Sequence, residues 1–401
     1  MKKKLLYIGD AMAPTGFATV NENVITRLDQ DFWSKPYLLA INWNGDPHPL
    51  RDRVHAYPAR TMAAEDAFGV NRVADVVRAV KPDVVLAHQD AWIIAMYIQA
   101  IKQENIKPFP KIIAWCPPDA ENQRSGKDLN DIIHLVTPSH FGQRALKAGG
   151  YTGEGTVIPY GVGGEFVPMD KKVLRKEVGL PEVALDGWLL GRADRNAVRK
   201  RYDLTVAAFG MWWHEYGKPE DAFLYLHCAP RDIGWDLIQL CQYYGIGTES
   251  KPQVIFTSHN LRATQVGMLP RAAMPKIFNL WDAHLSTAVG EGGGLVALES
   301  AACGVPQILP RVASLAEWFD GAAHFYEANE PFVHTGGINT VGKTAHVNDV
   351  VRAIDEVYRN KQYQQALSDK ALVCARQPHF TWDQCAGTID ALAQQVAEQE
   401  V

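Results

Sequence analysis

The stretch Glu291-Gly292-Gly293-Gly294-Leu295-Val296-Ala297-Leu298-Glu299, continuing through Ala302-Cys303-Gly304-Val305-Pro306, organises the whole chain. Three glycines stand between a strand and an apolar helix that ends at Gly304. Without Cβ atoms, such a loop lets a ligand approach the backbone closely, and the exposed N–H groups at a helix start favour a phosphate. Glu291 and Glu299 lie eight residues apart, a rise of ~12 Å at ~1.5 Å per residue if all eight were helical.

That span resembles the distance from the sugar to the ribose of a nucleotide sugar, so Glu291 would meet one end of such a ligand and Glu299 the other. A loop Glu beside an unrelated helical Glu would give the same letters; the triple glycine weighs against it. A second constellation runs from Gly191 to Arg201, where Arg192, Arg195, Arg199, Lys200 and Arg201 place five cations directly after a buried strand. A diphosphate leaving group gains about two negative charges as its bond breaks, and Arg and Lys at a strand end suit that charge. A solvated basic helix start is the plain alternative.

Outward from these motifs the chain alternates strand and helix. Buried strands are expected at Leu5–Ile8, Asp83–Ala87, Lys111–Trp115, Ile132–Thr137 and Thr156–Pro159, with helices at Trp92–Ile101 and Phe141–Lys147, the latter capped by Ser139. The Gly/Pro-rich stretch Tyr160–Gly164 reads as a linker. A second series follows, with strands near Trp188–Leu190, Ala222–His227, Gln253–Thr257, His284–Thr287 and Gln307–Leu309, and an amphipathic helix closes the chain at Trp382–Ala397. Strands alternating with helices argue for parallel α/β sheets, and two such units would bind ligands at the carboxyl ends of their strands. The expected domains are 1–165, 166–380 and a returning helix at 381–401.

Of the 401 residues, 47 % are hydrophobic and 21 % charged, which excludes disordered, collagen-like and disulfide-scaffold classes. The net charge of −5 argues against a strongly basic nucleic-acid coat protein. Six cysteines form no C-x-x-C pair, so a zinc or thioredoxin-type motif has no support, and a reducing cytoplasm is the expected compartment. The four-residue apolar run Leu5–Ile8 is shorter than the ~7–15 residues of a signal sequence core. No run approaches the ~20 residues of a membrane span.

Several motifs together resemble a GT-B fold glycosyltransferase of family GT4: Glu291–Glu299 within Ser286–Pro306, Arg195–Lys200, Val136-Thr137-Pro138-Ser139, Val157–Val162, Glu165–Pro168 and Phe380-Thr381-Trp382. They cover nearly the whole chain in order. The resemblance implies two Rossmann-like domains facing across a cleft, with the last helix crossing back. It implies a retaining transfer from a nucleotide sugar, UDP-glucose by first choice, without a metal or other cofactor. Glu291 would bind donor-sugar hydroxyls, and Gly292, Gly293 and Gly294 would offer backbone amides, with Leu295 beside them. Glu299 would bind the ribose. Arg195 and Lys200 would stabilise the diphosphate, with Arg199 competing for one of those roles. Gly16 would approach the β-phosphate, and Ser258, His259 and Phe278 would flank the base.

Two departures stand out. Many relatives carry a His where this chain reads Cys116-Pro117-Pro118-Asp119, so Asp119 either takes over a sugar or acceptor contact or only caps its loop. His88, at another strand end, is a weaker candidate for the same cleft. Residues 1–165 hold 18 Lys/Arg and 18 Asp/Glu, a neutral half that neither demands nor excludes a polyanionic acceptor. The Thr15-Gly16-Phe17-Ala18-Thr19-Val20 opening is similar to phage-encoded members, some of which modify hydroxymethylated DNA bases. Hydroxymethylated DNA therefore stands among the acceptors beside cell-surface glycans and small metabolites. Outside the transferases, an epimerase or hydrolase of nucleotide sugars and a non-catalytic binding scaffold share the fold.

Overall fold

The computed structural model describes residues 2–13, 15–60, 66–248, 251–257 and 271–399. The chain forms two units: Met1–Gly161 with Pro378–Val401, and Val162–Gln377. The first change of unit thus falls within the Gly/Pro-rich stretch at 160–164.

The first unit is a seven-stranded sheet of β1 (Leu5–Gly9), β2 (Tyr37–Ala40), β3 (His55–Pro58), β4 (Val84–His88), β5 (Ile112–Trp115), β6 (His134–Thr137) and β7 (Gly155–Val157). Its order is β3-β2-β1-β4-β5-β6-β7, with every neighbouring pair parallel. β1, β4 and β5 are buried throughout, as expected of strands covered by helices on both faces. The helix Val70–Val80 turns Val73, Val76, Val77 and Val80 to the core at helical spacing. Strand order reverses between β1 and β4, the place where open α/β sheets bind ligands.

The C-terminal helix, Trp382–Glu398, belongs to this first unit. Asp390 accepts from the Trp33 indole at 2.6 Å and from the Asp29 amide at 3.1 Å, and Arg27 pairs with Asp383 at 2.7 Å. Gly161 is required there: a Cβ would lie 2.3 Å from the Trp382 nitrogen.

The second unit has a six-stranded parallel sheet of β8 (Trp188–Ala193), β9 (Ala222–His227), β12 (Val254–Phe256), β13 (Ala283–Leu285), β14 (Gln307–Pro310) and β15 (His324–Tyr326), in the order β12-β9-β8-β13-β14-β15. Two small antiparallel pairs are added: β10 (Gly247–Thr248) with β11 (Lys251–Pro252), and β16 (Glu330–Val333) with β17 (Val341–Thr344). β8 and β13 are central neighbours, so the loops that leave their carboxyl ends lie side by side.

Candidate functional site

The loop after β8 carries the basic stretch. Arg192 is fully buried; its guanidinium donates to the hydroxyls of Thr205 and Thr287 and to the Lys200 carbonyl, and it lies 4.3 Å from the centre of the Tyr202 ring. Arg192 is therefore the internal post around which the loop folds. Asn196, also fully buried, donates to the Trp235 carbonyl at 2.7 Å and accepts from the Trp235 amide at 3.1 Å, tying the loop to the segment after β9.

These anchors deliver Lys200 to a site with two carboxylates. Its ammonium pairs with Asp194 at 2.7 Å and, in a short contact, with Glu291. The Lys200 side chain is 10 % exposed and that of Glu291 13 %, so the pair is largely desolvated. Arg199 reaches the other Glu291 oxygen at 3.8 Å. Burial pushes the Asp194 carboxyl up, but the Lys200 and Arg192 charges together hold it below the usual carboxylate range. Asp194 escaped the sequence reading because it stood as a lone acid inside a basic run.

Glu291 is fixed from its backbone. Its carbonyl accepts from the Ser314 hydroxyl at 2.7 Å and from the Ser314 amide at 3.2 Å. Gly292 and Gly294 are buried, while Gly293 and Leu295 are partly exposed at the start of the helix Leu295–Ala302. A Cβ on Gly294 would lie 2.5 Å from Leu315 Cδ2, so close packing as well as ligand access favours glycine here. Within that helix the buried Glu299 pairs with Arg271 at 2.5 Å. Burial raises its carboxyl above the ordinary value, with Arg271 opposing. Arg271 also lies over Phe166, 5.3 Å from the ring centre, and was not singled out from sequence.

The remaining candidates are dispersed. Arg195 is 62 % exposed and engages Asp232 through two contacts of 2.8 and 3.2 Å, so Arg199 rather than Arg195 stands beside Glu291. Phe278 is a core residue packed on Trp281 and Phe166. Ser258 and His259 lie outside the described residues.

In the first unit, Gly16 opens the helix Gly16–Ile25, capped by the Thr15 hydroxyl, which accepts from the Ala18 amide at 3.1 Å and donates to Asp10 at 2.9 Å. Asp119 is half-buried in the loop after β5. His88 is fully buried, stacked on Trp115 at 4.2 Å, with its ring nitrogens bonded to Asn21 and Tyr160. Burial lowers its pKa to about 3, which keeps it neutral. It offers no surface to a ligand.

Among the described residues no cluster of three or more His, Cys, Asp or Glu side chains could hold a metal ion, and no helix is long and apolar enough to cross a membrane.

No family model matches the sequence, and no curated protein matches it. Solved structures do. Sucrose-phosphate synthase from Thermosynechococcus elongatus superposes with a TM-score of 0.73 at 15 % identity, over 98 % of this chain and 99 % of that one. HepE from Anabaena, solved with UDP and glucose, gives 0.70 at 14 %, over 98 % and 100 %. A glycosyltransferase from Rickettsia africae gives 0.69 at 13 %, over the full length of both chains. The fold is therefore that of the GT-B glycosyltransferases, with its two parallel-sheet α/β domains.

Proposed function

We propose that this chain is a retaining glycosyltransferase that moves a sugar from a UDP-sugar, UDP-glucose first, to an acceptor hydroxyl. The observation that carries this reading is the desolvated Lys200–Glu291 pair at the mouth of the triple-glycine turn, with Glu299 in the helix that follows the turn paired to Arg271. HepE, which shares the fold, was solved with UDP-glucose as well as with UDP and glucose.

In this reading Glu291 binds hydroxyls of the donor sugar, and the amides of Gly292, Gly293 and Gly294 face the sugar and diphosphate, with Leu295, whose own amide donates to the Gly293 carbonyl at 2.9 Å, beside them. Glu299 holds the ribose. Lys200 and Arg199 meet the charge that grows on the diphosphate, while Arg195 joins them only by leaving Asp232. The bond between the sugar C1 and the β-phosphate oxygen breaks, and its electron pair stays on the phosphate. The acceptor oxygen bonds to C1 on the same face, and its proton passes to the departing phosphate oxygen. Such a route depends on preorganised positive charge at the leaving group more than on a protein base, and on excluding water. No metal enters it.

We assign acceptor recognition to the N-terminal unit, with Asp119 in the loop after β5, while Gly16, at the start of the helix Gly16–Ile25, approaches the β-phosphate of the donor. The acceptor we favour is a 5-hydroxymethylpyrimidine of DNA, as for phage-encoded GT4 enzymes acting in a host cytoplasm. The test is nucleoside diphosphate release from UDP-, GDP- and ADP-sugars, with and without DNA containing hydroxymethylcytosine. UDP release that rises sharply with the modified DNA supports the whole reading. Release indifferent to DNA moves the acceptor to glycans or small metabolites, and no release from any donor leaves the acceptor open and turns the reading toward a non-catalytic binding scaffold or a donor outside this panel.

A further inference from the structure

The antiparallel pair β16–β17 lies outside the six-stranded sheet and yet touches both loops of the site. Its register pairs Phe332 with Gly342 and Glu330 with Thr344, and Gly336 and Gly337, both with positive φ, turn the tip between the strands. From β17 the Lys343 amide donates to the Val289 carbonyl at 2.8 Å. Val289 is buried two residues before Glu291, and its own amide donates to the Arg199 carbonyl at 3.0 Å. One backbone chain thus runs from the hairpin through the Glu291 loop to the Lys200 loop.

A second contact reaches Arg201, the residue after Lys200. Its backbone is left-handed, at φ 51°, a conformation that the surroundings must enforce in a non-glycine residue. Three groups hold it: Asp203 through paired contacts of 2.9 Å, the Thr344 hydroxyl at 2.7 Å and the Phe332 ring at 5.5 Å. The Arg201 carbonyl meanwhile accepts from Thr287 at 2.7 Å. The hairpin lies close enough that a Cβ on Gly342 would stand 2.7 Å from the Val289 oxygen and 2.8 Å from its Cγ2.

We propose that the 330–344 hairpin is a positioning element of the site: through Gly342, Lys343, Thr344 and Phe332 it sets the relative placement of Lys200 and Glu291. The proposal rests on the reading of that pair as the donor site. None of the four hairpin residues needs to touch donor or acceptor. Their effect is on the alignment of the pair, and misplacement of reacting groups by ~1 Å can cost ~100-fold in rate.

The test uses Gly342→Ala, which pushes on Val289, and Thr344→Val, which removes the hydroxyl from Arg201, with Thr344→Ser as the conservative rescue. With UDP-glucose as donor, Gly342→Ala and Thr344→Val are expected to lower kcat ~10-fold or more while UDP affinity stays within ~3-fold, and Thr344→Ser to stay near wild type. Acylation of Lys200, followed by peptide mass spectrometry, reads the same geometry without turnover; both damaging variants are expected to speed it as the ion pair loosens. Wild-type kcat and labelling in folded Gly342→Ala and Thr344→Val would overturn the proposal, as would kcat and UDP affinity falling together with the thermal midpoint. If the wild-type protein turns over no donor, the transferase reading fails and the labelling result alone decides the hairpin's role.

Discussion

Lys200 and Glu291 meet as a largely desolvated ion pair although each comes from a different loop, one leaving β8 and the other leaving the neighbouring β13. A desolvated pair is weak support for stability, because dehydrating both charges cancels much of their attraction. It is well suited to a ligand that separates them, a hydroxylated sugar for the carboxylate and a diphosphate for the ammonium.

Glu291→Gln is expected to divide donor binding. The amide keeps a polar group in place but loses the charge toward Lys200 and the strong acceptor toward sugar hydroxyls. Turnover of UDP-glucose should fall at least ~10-fold, while calorimetric affinity for free UDP changes by less than ~3-fold. Equal loss of both would contradict the division of labour between Glu291 and the cations.

Asp10 predicts a pH signature in stability. It is 2 % exposed, one of its oxygens has no hydrogen-bond partner among the described residues, and burial raises its carboxyl to about 6 from the ordinary 3.8. The folded chain therefore holds a proton that the unfolded chain releases, and Asp10 costs stability as pH rises from about 4 to about 6. Buried neutral His88 acts in the opposite sense over an overlapping range, so the readout is a difference. The unfolding free energy of Asp10→Asn minus that of wild type, from urea titrations at a series of pH values, should grow with pH across this window, by an amount on the order of 2–3 kcal/mol. A flat difference would contradict the raised carboxyl.

Gly191→Ala should damage the second unit outright. In the middle of β8, a Cβ would fall 1.8–2.2 Å from three atoms of the buried Trp281 ring. Overpacking of this kind costs ~1–3 kcal/mol and more where backbone must shift. Urea denaturation followed by tryptophan fluorescence should show an earlier transition; an unchanged midpoint would mean that the ring can swing aside.

Turnover should persist after treatment with EDTA, because charge stabilisation at the leaving group is assigned to Lys200 and Arg199. Loss of activity in EDTA, restored by a divalent cation, would transfer that role to a metal.

Much of this architecture was legible in the sequence because both sheets are parallel. Buried parallel strands read as unbroken apolar runs, and those at Leu5–Ile8 and Ala222–His227 match β1 and β9 within a residue. β2 and β3 escaped because Pro36 directly precedes the four residues of β2, and β3, His55–Pro58, ends on a Pro and shows no buried apolar run. The 330–344 hairpin escaped because Glu330, Pro331 and Lys343 interrupt any alternation. At the site, Lys200 and Glu291 could be named from motif spacing, but their pairing could not, since it depends on which strands are neighbours. Arg195 shows the reverse: its place in the motif suggested the diphosphate, and only Asp232, thirty-seven residues later, reveals its partner.

The most direct test compares UDP release from UDP-glucose by the wild-type protein and by Lys200→Ala under one set of acceptor conditions. The account predicts measurable wild-type release and a ~10²–10³-fold lower kcat in the variant, with its cooperative thermal transition retained. Equal release by the two proteins, both folded, would contradict it.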